Sequence, residues 1–82
     1  MGKYANVKSR RFVKLLEWLG RNKGVHLSCG GKHNYRITCI HTGESFPIPS
    51  SHNEINKYIV KDFKDWLVAR DLCTEEEYDR NL

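Results

Sequence analysis

Apolar residues recur along this chain in two different periods, and the change from one to the other divides it into elements. Phe12, Leu15, Leu16 and Leu19 are spaced by three and four, the period of a helix with one buried stripe. Ser9 can cap that helix and Gly20 can stop it, giving about three turns with Arg10, Arg11, Lys14 and Glu17 on the other faces. Trp18 falls beside the stripe, at the edge of a core or within reach of a ligand. Residues 1–8 are polar and are expected to be a flexible lead-in.

After the Arg21-Asn22-Lys23-Gly24 turn the period drops to two. Val25 to Cys29 alternates apolar with polar, and His33 to Ile40 does so again, with Gly30-Gly31 between them as a hairpin turn. Tyr35, Ile37 and Cys39 share one face of the second strand. Strict parity adds His33 to that face, at the strand's end. His41-Thr42-Gly43-Glu44 turns the chain into a short third strand, Ser45 to Ile48, whose Pro47 suits an edge because proline donates no ladder hydrogen bond. A three-stranded antiparallel meander is the expected sheet.

The helical period then returns. Ser51 with Glu54 three residues on reads as a capping box, and Ile55, Ile59, Phe63, Trp66 and Leu67 mark one face of a second helix. Lys57, Lys61 and Lys64 fall opposite that face, as a solvated row or as one that tracks a phosphate backbone. Arg70 to Leu72 end the helix. Thr74 with Glu77 forms another capping box, for a short acidic helix within residues 73–82 that is expected to be a solvated end. The fold expected is α+β: a single two-layer domain over residues 1–82, with two helices on one face of the sheet and a short C-terminal helix.

At 82 residues the chain has room for a modest core, and its 29% charged and 39% hydrophobic content marks a globular domain rather than a disordered one. No apolar run approaches the ~18 residues of a membrane span, and no signal-peptide segment opens the chain, so the expected location is the cytoplasm, with no membrane partner. Three cysteines without a CxxC pair suit a reducing compartment. Charge alters the picture more. Residues 1–40 carry nine basic residues against the single acid Glu17, whereas residues 41–82 carry five against nine, so the halves stand at +8 and −4. A basic half of that density favours a polyanion, nucleic acid first, over a merely solubilising surface.

Four histidines, His26, His33, His41 and His52, lie within 27 residues. Only His33 combines a glycine turn, neighbouring cations in Lys32 and Arg36, and a place at a strand end. Such a histidine can act as base or acid while the 2′-OH of RNA attacks the adjacent phosphorus, and the two cations can stabilise the phosphorane. Lone histidines in glycine hairpins also occur without chemistry. Cys29, His33, Cys39 and His41 form a rival set of zinc-ligand types, but the C-x3-H-x5-C-x-H spacing matches no common zinc knuckle, and no metal or other cofactor is expected. Neither Cys29 nor Cys39 has an assigned base to make it a nucleophile.

The ordered set of Lys8-Ser9, Leu15-Leu16, Gly20, Gly31-Lys32-His33, Phe46-Pro47-Ile48-Pro49 and Glu54-Ile55 resembles the HicA-type toxins, mRNA-cleaving components of toxin-antitoxin pairs. The resemblance covers residues 8–72. It implies an α-β-β-β-α fold similar to a double-stranded-RNA-binding domain, His33 as the catalytic residue, single-stranded mRNA as substrate and a HicB-type antitoxin as protein partner. Two positions depart from the family's usual pattern: Lys32 stands where serine is common, and Asn34 where a second histidine often follows. Lys8, Arg10, Arg11, Lys14, Lys32, Arg36 and Lys57 are the expected RNA-binding residues. A non-catalytic RNA-binding module of the same fold is the alternative.

Overall fold

The first apolar stripe forms its helix, but the ends of that helix differ from the sequence expectation. The computed structural model describes residues 4–30, 34–49 and 53–82. Helix α1 (Ser9–Asn22) buries Phe12, Leu15, Leu16 and Leu19 and begins after Lys8, with no side-chain cap. Ser9 is its first residue and not its N-cap; the Ser9 N–H donates instead to the backbone oxygen of Asn53 at 2.8 Å. Nor does Gly20 stop the helix. It lies on an exposed face, and the turn continues until the Lys23 N–H donates to the Leu19 carbonyl at 2.9 Å.

Residues 4–8 are ordered too, which corrects the expected flexible lead-in. Strand β1 (Val7–Lys8) pairs antiparallel with β5 (Glu54–Ile55), Val7 opposite Ile55 and Lys8 opposite Glu54. Glu54 therefore belongs to a strand and not to a helical capping box; Ser51 and His52 lie outside the described residues.

The hairpin alternation holds. Strands β2 (Val25–Gly30), β3 (Asn34–Cys39) and β4 (Ser45–Pro49) form an antiparallel sheet in the order β2-β3-β4, so Pro47 does lie in an edge strand. The register sets Val25 opposite Cys39, Leu27 opposite Ile37 and Cys29 opposite Tyr35, and across the other ladder Ile37 opposite Phe46 and Tyr35 opposite Ile48. These positions share one face by the two-residue period, and His26, Ser28, Arg36, Thr38, Ser45 and Pro47 share the other. The β3–β4 turn needs positive φ at one position, and Gly43 supplies it at 77°.

Helix α2 (Lys57–Ala69) starts later than expected. Its N-cap is Asn56, whose side chain accepts from the Tyr58 N–H. It buries Val60, Phe63 and Leu67, while Ile55 joins the core from β5. Helix α3 (Glu75–Asn81) has the predicted Thr74–Glu77 capping box. It is more than a solvated end, because Tyr78 is fully buried and its hydroxyl donates to the Val60 carbonyl at 2.6 Å. The buried residues of the helices and of the sheet's inner face form one hydrophobic cluster, so among the described residues the architecture is α+β with three helices, a three-stranded sheet and the two-stranded β1–β5 pair. None of the helices is long and apolar enough to cross a membrane among the described residues.

Asp71, after the last turn of α2, has φ of 56°, a left-handed conformation in which a Cβ is strained. Asp71→Gly is expected to raise the urea midpoint by the equivalent of about 0.5 kcal/mol. A lowered midpoint would show that the Asp71 side chain contributes more than its backbone strain costs.

Candidate nucleic-acid interface

One short connection, with the ties of β1 and Ser9 to residues 53–55, brings the expected RNA-binding residues to one end of the domain. Only Lys23 and Gly24 join α1 to β2, so the helix and the strand run side by side in opposite directions. Glu17, Gly20 and Arg21 accordingly line one cleft with Val25, His26 and Leu27. The helix, at ~1.5 Å per residue, and the strand, at ~3.3 Å per residue, cover similar lengths. The start of α1 thus returns to the level of Gly30, where β2 ends opposite Asn34. Pro49, opposite Asn34 on the other ladder, adds the end of β4 to the same level. The Ser9–Asn53 bond and the β1–β5 pair tie in residues 53–55, and the Lys57 N–H donates to Asn6 Oδ1 at 2.8 Å.

Each expected RNA-binding residue can be set on this frame. Lys8, Arg10, Arg11 and Lys57 are exposed around the hairpin end, and Lys14 is exposed one helical turn further along α1. Arg36 is exposed on the outer face of the sheet, opposite Ser28 and Pro47, in the layer away from Lys14. The cations therefore gather around an end of the domain and not on one flat face. His33 and Lys32, and with them the parity expected for His33, lie outside the described residues; their chain neighbours Gly30 and Asn34 are paired.

Pairing separates these cations from those elsewhere. Lys61 binds Asp65 at 2.8 Å, and Lys64 binds Asp65 at 2.9 Å and Glu75 at 3.1 Å, so those two members of the lysine row are held by acids on a solvated face. The hydrogen bonds from Lys61 and Lys64 hold the Asp65 carboxyl below its usual range, and those to Asp65 and Glu75 raise the Lys64 ammonium. At the far end, Arg70 grips Glu44 through Nη2 at 2.7 Å and Nε at 3.1 Å, with its guanidinium 4.6 Å from the Trp66 ring centroid. That fork lowers the Glu44 carboxyl and raises Arg70. Lys23 meets Glu77 at 2.9 Å, and Glu77 is lowered first by its capping bond to the Thr74 backbone and then by Lys23.

At the hairpin end only Lys8 has a carboxylate neighbour among the described residues, Glu54 at a loose 3.6 Å, and Arg11 donates to the backbone oxygen of Leu82 at 2.8 Å. Arg10, Lys14, Arg36 and Lys57 have no acid partner among the described residues. Unpaired exposed cations keep their charge available to phosphate oxygens, whereas a paired one must first give up its acid.

Of the zinc-type ligands, the three among the described residues, Cys29, Cys39 and His41, are not brought together. Cys29 stands opposite Tyr35 and Cys39 opposite Val25, four residues apart along β2, or about 13 Å. Cys39 is buried, while Cys29 and His41 are exposed, and no group of three metal-ligating side chains occurs among the described residues. Three asparagines absent from the sequence expectation shape the hairpin end: Asn6, Asn53 and Asn56 line a shallow groove with Lys8 and Glu54. Asn56 carried a legible signal, an N-cap residue just before a helical run. Asn6 carried none, since it acts across 51 positions of chain. Comparison with protein-family models, curated proteins and solved structures gave no match to this chain.

Proposed function

We propose that this domain is a metal-independent endoribonuclease that cleaves single-stranded mRNA, as its resemblance to HicA-type toxins implies. The observation that carries the proposal is the gathering of cations around the end of the hairpin, four of which, Arg10, Lys14, Arg36 and Lys57, have no acid partner among the described residues. The order helix, three strands, helix also fits the double-stranded-RNA-binding-like fold of that family, with β1, β5 and α3 as additions.

In this scheme His33 takes the proton from a 2′-OH, the 2′-oxygen attacks phosphorus, and the bond to the 5′-oxygen breaks as that oxygen gains a proton. The products are a 2′,3′-cyclic phosphate and a 5′-hydroxyl. Lys32 and Arg36 stabilise the additional charge on the phosphorane, and Lys8, Arg10, Arg11, Lys14 and Lys57 hold the flanking phosphates. A HicB-type antitoxin would bind the toxin and block RNA access, and the reaction would take place in the cytoplasm.

A single 2′-deoxy substitution on the 5′ side of a mapped cut, assayed in EDTA, tests the chemistry. Cleavage at that bond is expected to disappear while neighbouring cuts persist. Continued cleavage there would rule out attack by the 2′-OH. RNA bound with steep salt dependence but never cut would favour the alternative, a non-catalytic RNA-binding module, which the same cations would equally serve.

A further inference from the structure

Three large hydrophobic side chains are exposed among the described residues: Ile40, Tyr58 and Val68. Ile40 lies at the far end of the sheet, where its N–H donates to the Gly24 carbonyl, and Val68 lies in the last turn of α2. Tyr58 alone is aromatic and stands at the hairpin end. It is 67% exposed, on the side of α2 opposite Val60, Phe63 and Leu67, so the core gains nothing from its ring.

The ring's base is fixed. The Tyr58 N–H donates to Asn56 Oδ1 at 2.8 Å, and the preceding N–H of Lys57 donates to Asn6 Oδ1, also at 2.8 Å. The Lys57 ammonium lies 5.5 Å from the ring centroid. The ring's neighbours on the helix surface, one turn on, are Lys61 and Asp62, followed by Asp65. A lone aromatic ring surrounded by charge is a poor docking patch for an apolar protein surface, which needs a contiguous apolar area. It suits a ligand that offers a flat π face and negative charge together, as one nucleotide does. Asp62, and Asp65 with its two lysines, stand on the C-terminal side of the platform. A strand stacked here would leave toward Lys57 and toward Lys8, which lines the groove beside Asn56.

We propose that Tyr58 is a stacking platform for one unpaired base of bound RNA, with Lys57 on the adjoining phosphate, and that it gives the domain a preference for single strands over duplex. The proposal rests on the RNA reading above and adds a site to it.

The test uses the full chain carrying His33→Ala, so that RNA is not consumed, with a fluorescein-labelled 12-nucleotide single strand and a duplex of the same sequence, read by anisotropy. Adding Tyr58→Leu is expected to weaken single-strand binding by about 5- to 100-fold, the range for loss of one base–aromatic stack, and to leave the duplex within about twofold. Tyr58→Trp should bind the single strand at least as well as tyrosine. The salt slope should stay unchanged in both, because no phosphate contact is lost. Single-strand affinity unaltered by Tyr58→Leu, or an equal loss on both RNAs, would overturn the stacking site and leave RNA binding standing. No binding of either RNA by the parent protein would overturn both.

Discussion

Tyr78→Ala is expected to remove about a quarter or more of the domain's stability. The Tyr78 ring is fully buried, meeting Tyr4 edge-on at 5.9 Å and Phe63 at 6.2 Å between centroids, and its hydroxyl donates to the Val60 carbonyl of α2. Removing an aromatic side chain from such a site costs about 3–5 kcal/mol through lost transfer energy and residual cavity. A domain of this size has a total stability of only roughly 4–12 kcal/mol. Urea titration followed by circular dichroism should show the midpoint falling by about a quarter or more, or no folded baseline. A midpoint close to wild type would mean that α3 does not belong to the core.

Alkaline pH should act on the same contacts. Burial pushes the Tyr78 phenol well above its ordinary range; Tyr4 is raised likewise by burial and by its bond to Asp79, and the Cys73 thiol rises by burial to about 11. All three hold their protons more tightly in the folded state. Their contribution is therefore complete below the unfolded-chain values, near 9 for the thiol and 10 for the phenols, and is lost as pH climbs through the folded values. Stability should fall from about pH 9 upward, by at most ~1.4 kcal/mol per pH unit for each group. Tyr78→Phe, which keeps the ring, should make that decline shallower.

How far the sequence disclosed these features depended on the range of the interactions. The α1 stripe and the alternation of β2 to β4 are local periodicities, and the faces of Phe12, Leu15, Ile37 and Ile48 were readable from spacing alone. The Thr74–Glu77 box was likewise readable, being complete within four residues. Ser51 and Glu54 show the same local pattern, yet Glu54 pairs across the molecule with Lys8, and a two-residue ladder leaves no periodic trace. Tyr78 sits in the run Glu75-Glu76-Glu77-Tyr78-Asp79, where one apolar residue amid acids resembles a solvated helix. For the candidate interface, the charge imbalance pointed to a basic half, and the two-residue α1–β2 connection sends the start of α1 to the hairpin end while Arg21 and Lys23 stay at the other. Tyr58 escaped notice because an exposed aromatic next to a helix cap has no periodic signature.

The second large effect expected is on catalysis. If His33 moves the proton of the attacking 2′-OH, its loss should reduce cleavage by 10²- to 10⁴-fold, the usual contribution of a positioned acid–base group. Binding should survive, since Lys8, Arg10, Arg11, Lys14, Arg36 and Lys57 supply attraction independently of the histidine. Only a separation of binding from cleavage distinguishes a catalytic histidine from one that supports the hairpin.

The most direct measurement is therefore single-turnover cleavage of a single-stranded RNA by wild type and His33→Ala, with RNA affinity and the unfolding midpoint measured on the same preparations. The rate is expected to drop at least about a hundredfold, with affinity and midpoint close to wild type. A folded His33→Ala protein that cuts RNA within about threefold of the wild-type rate would contradict it.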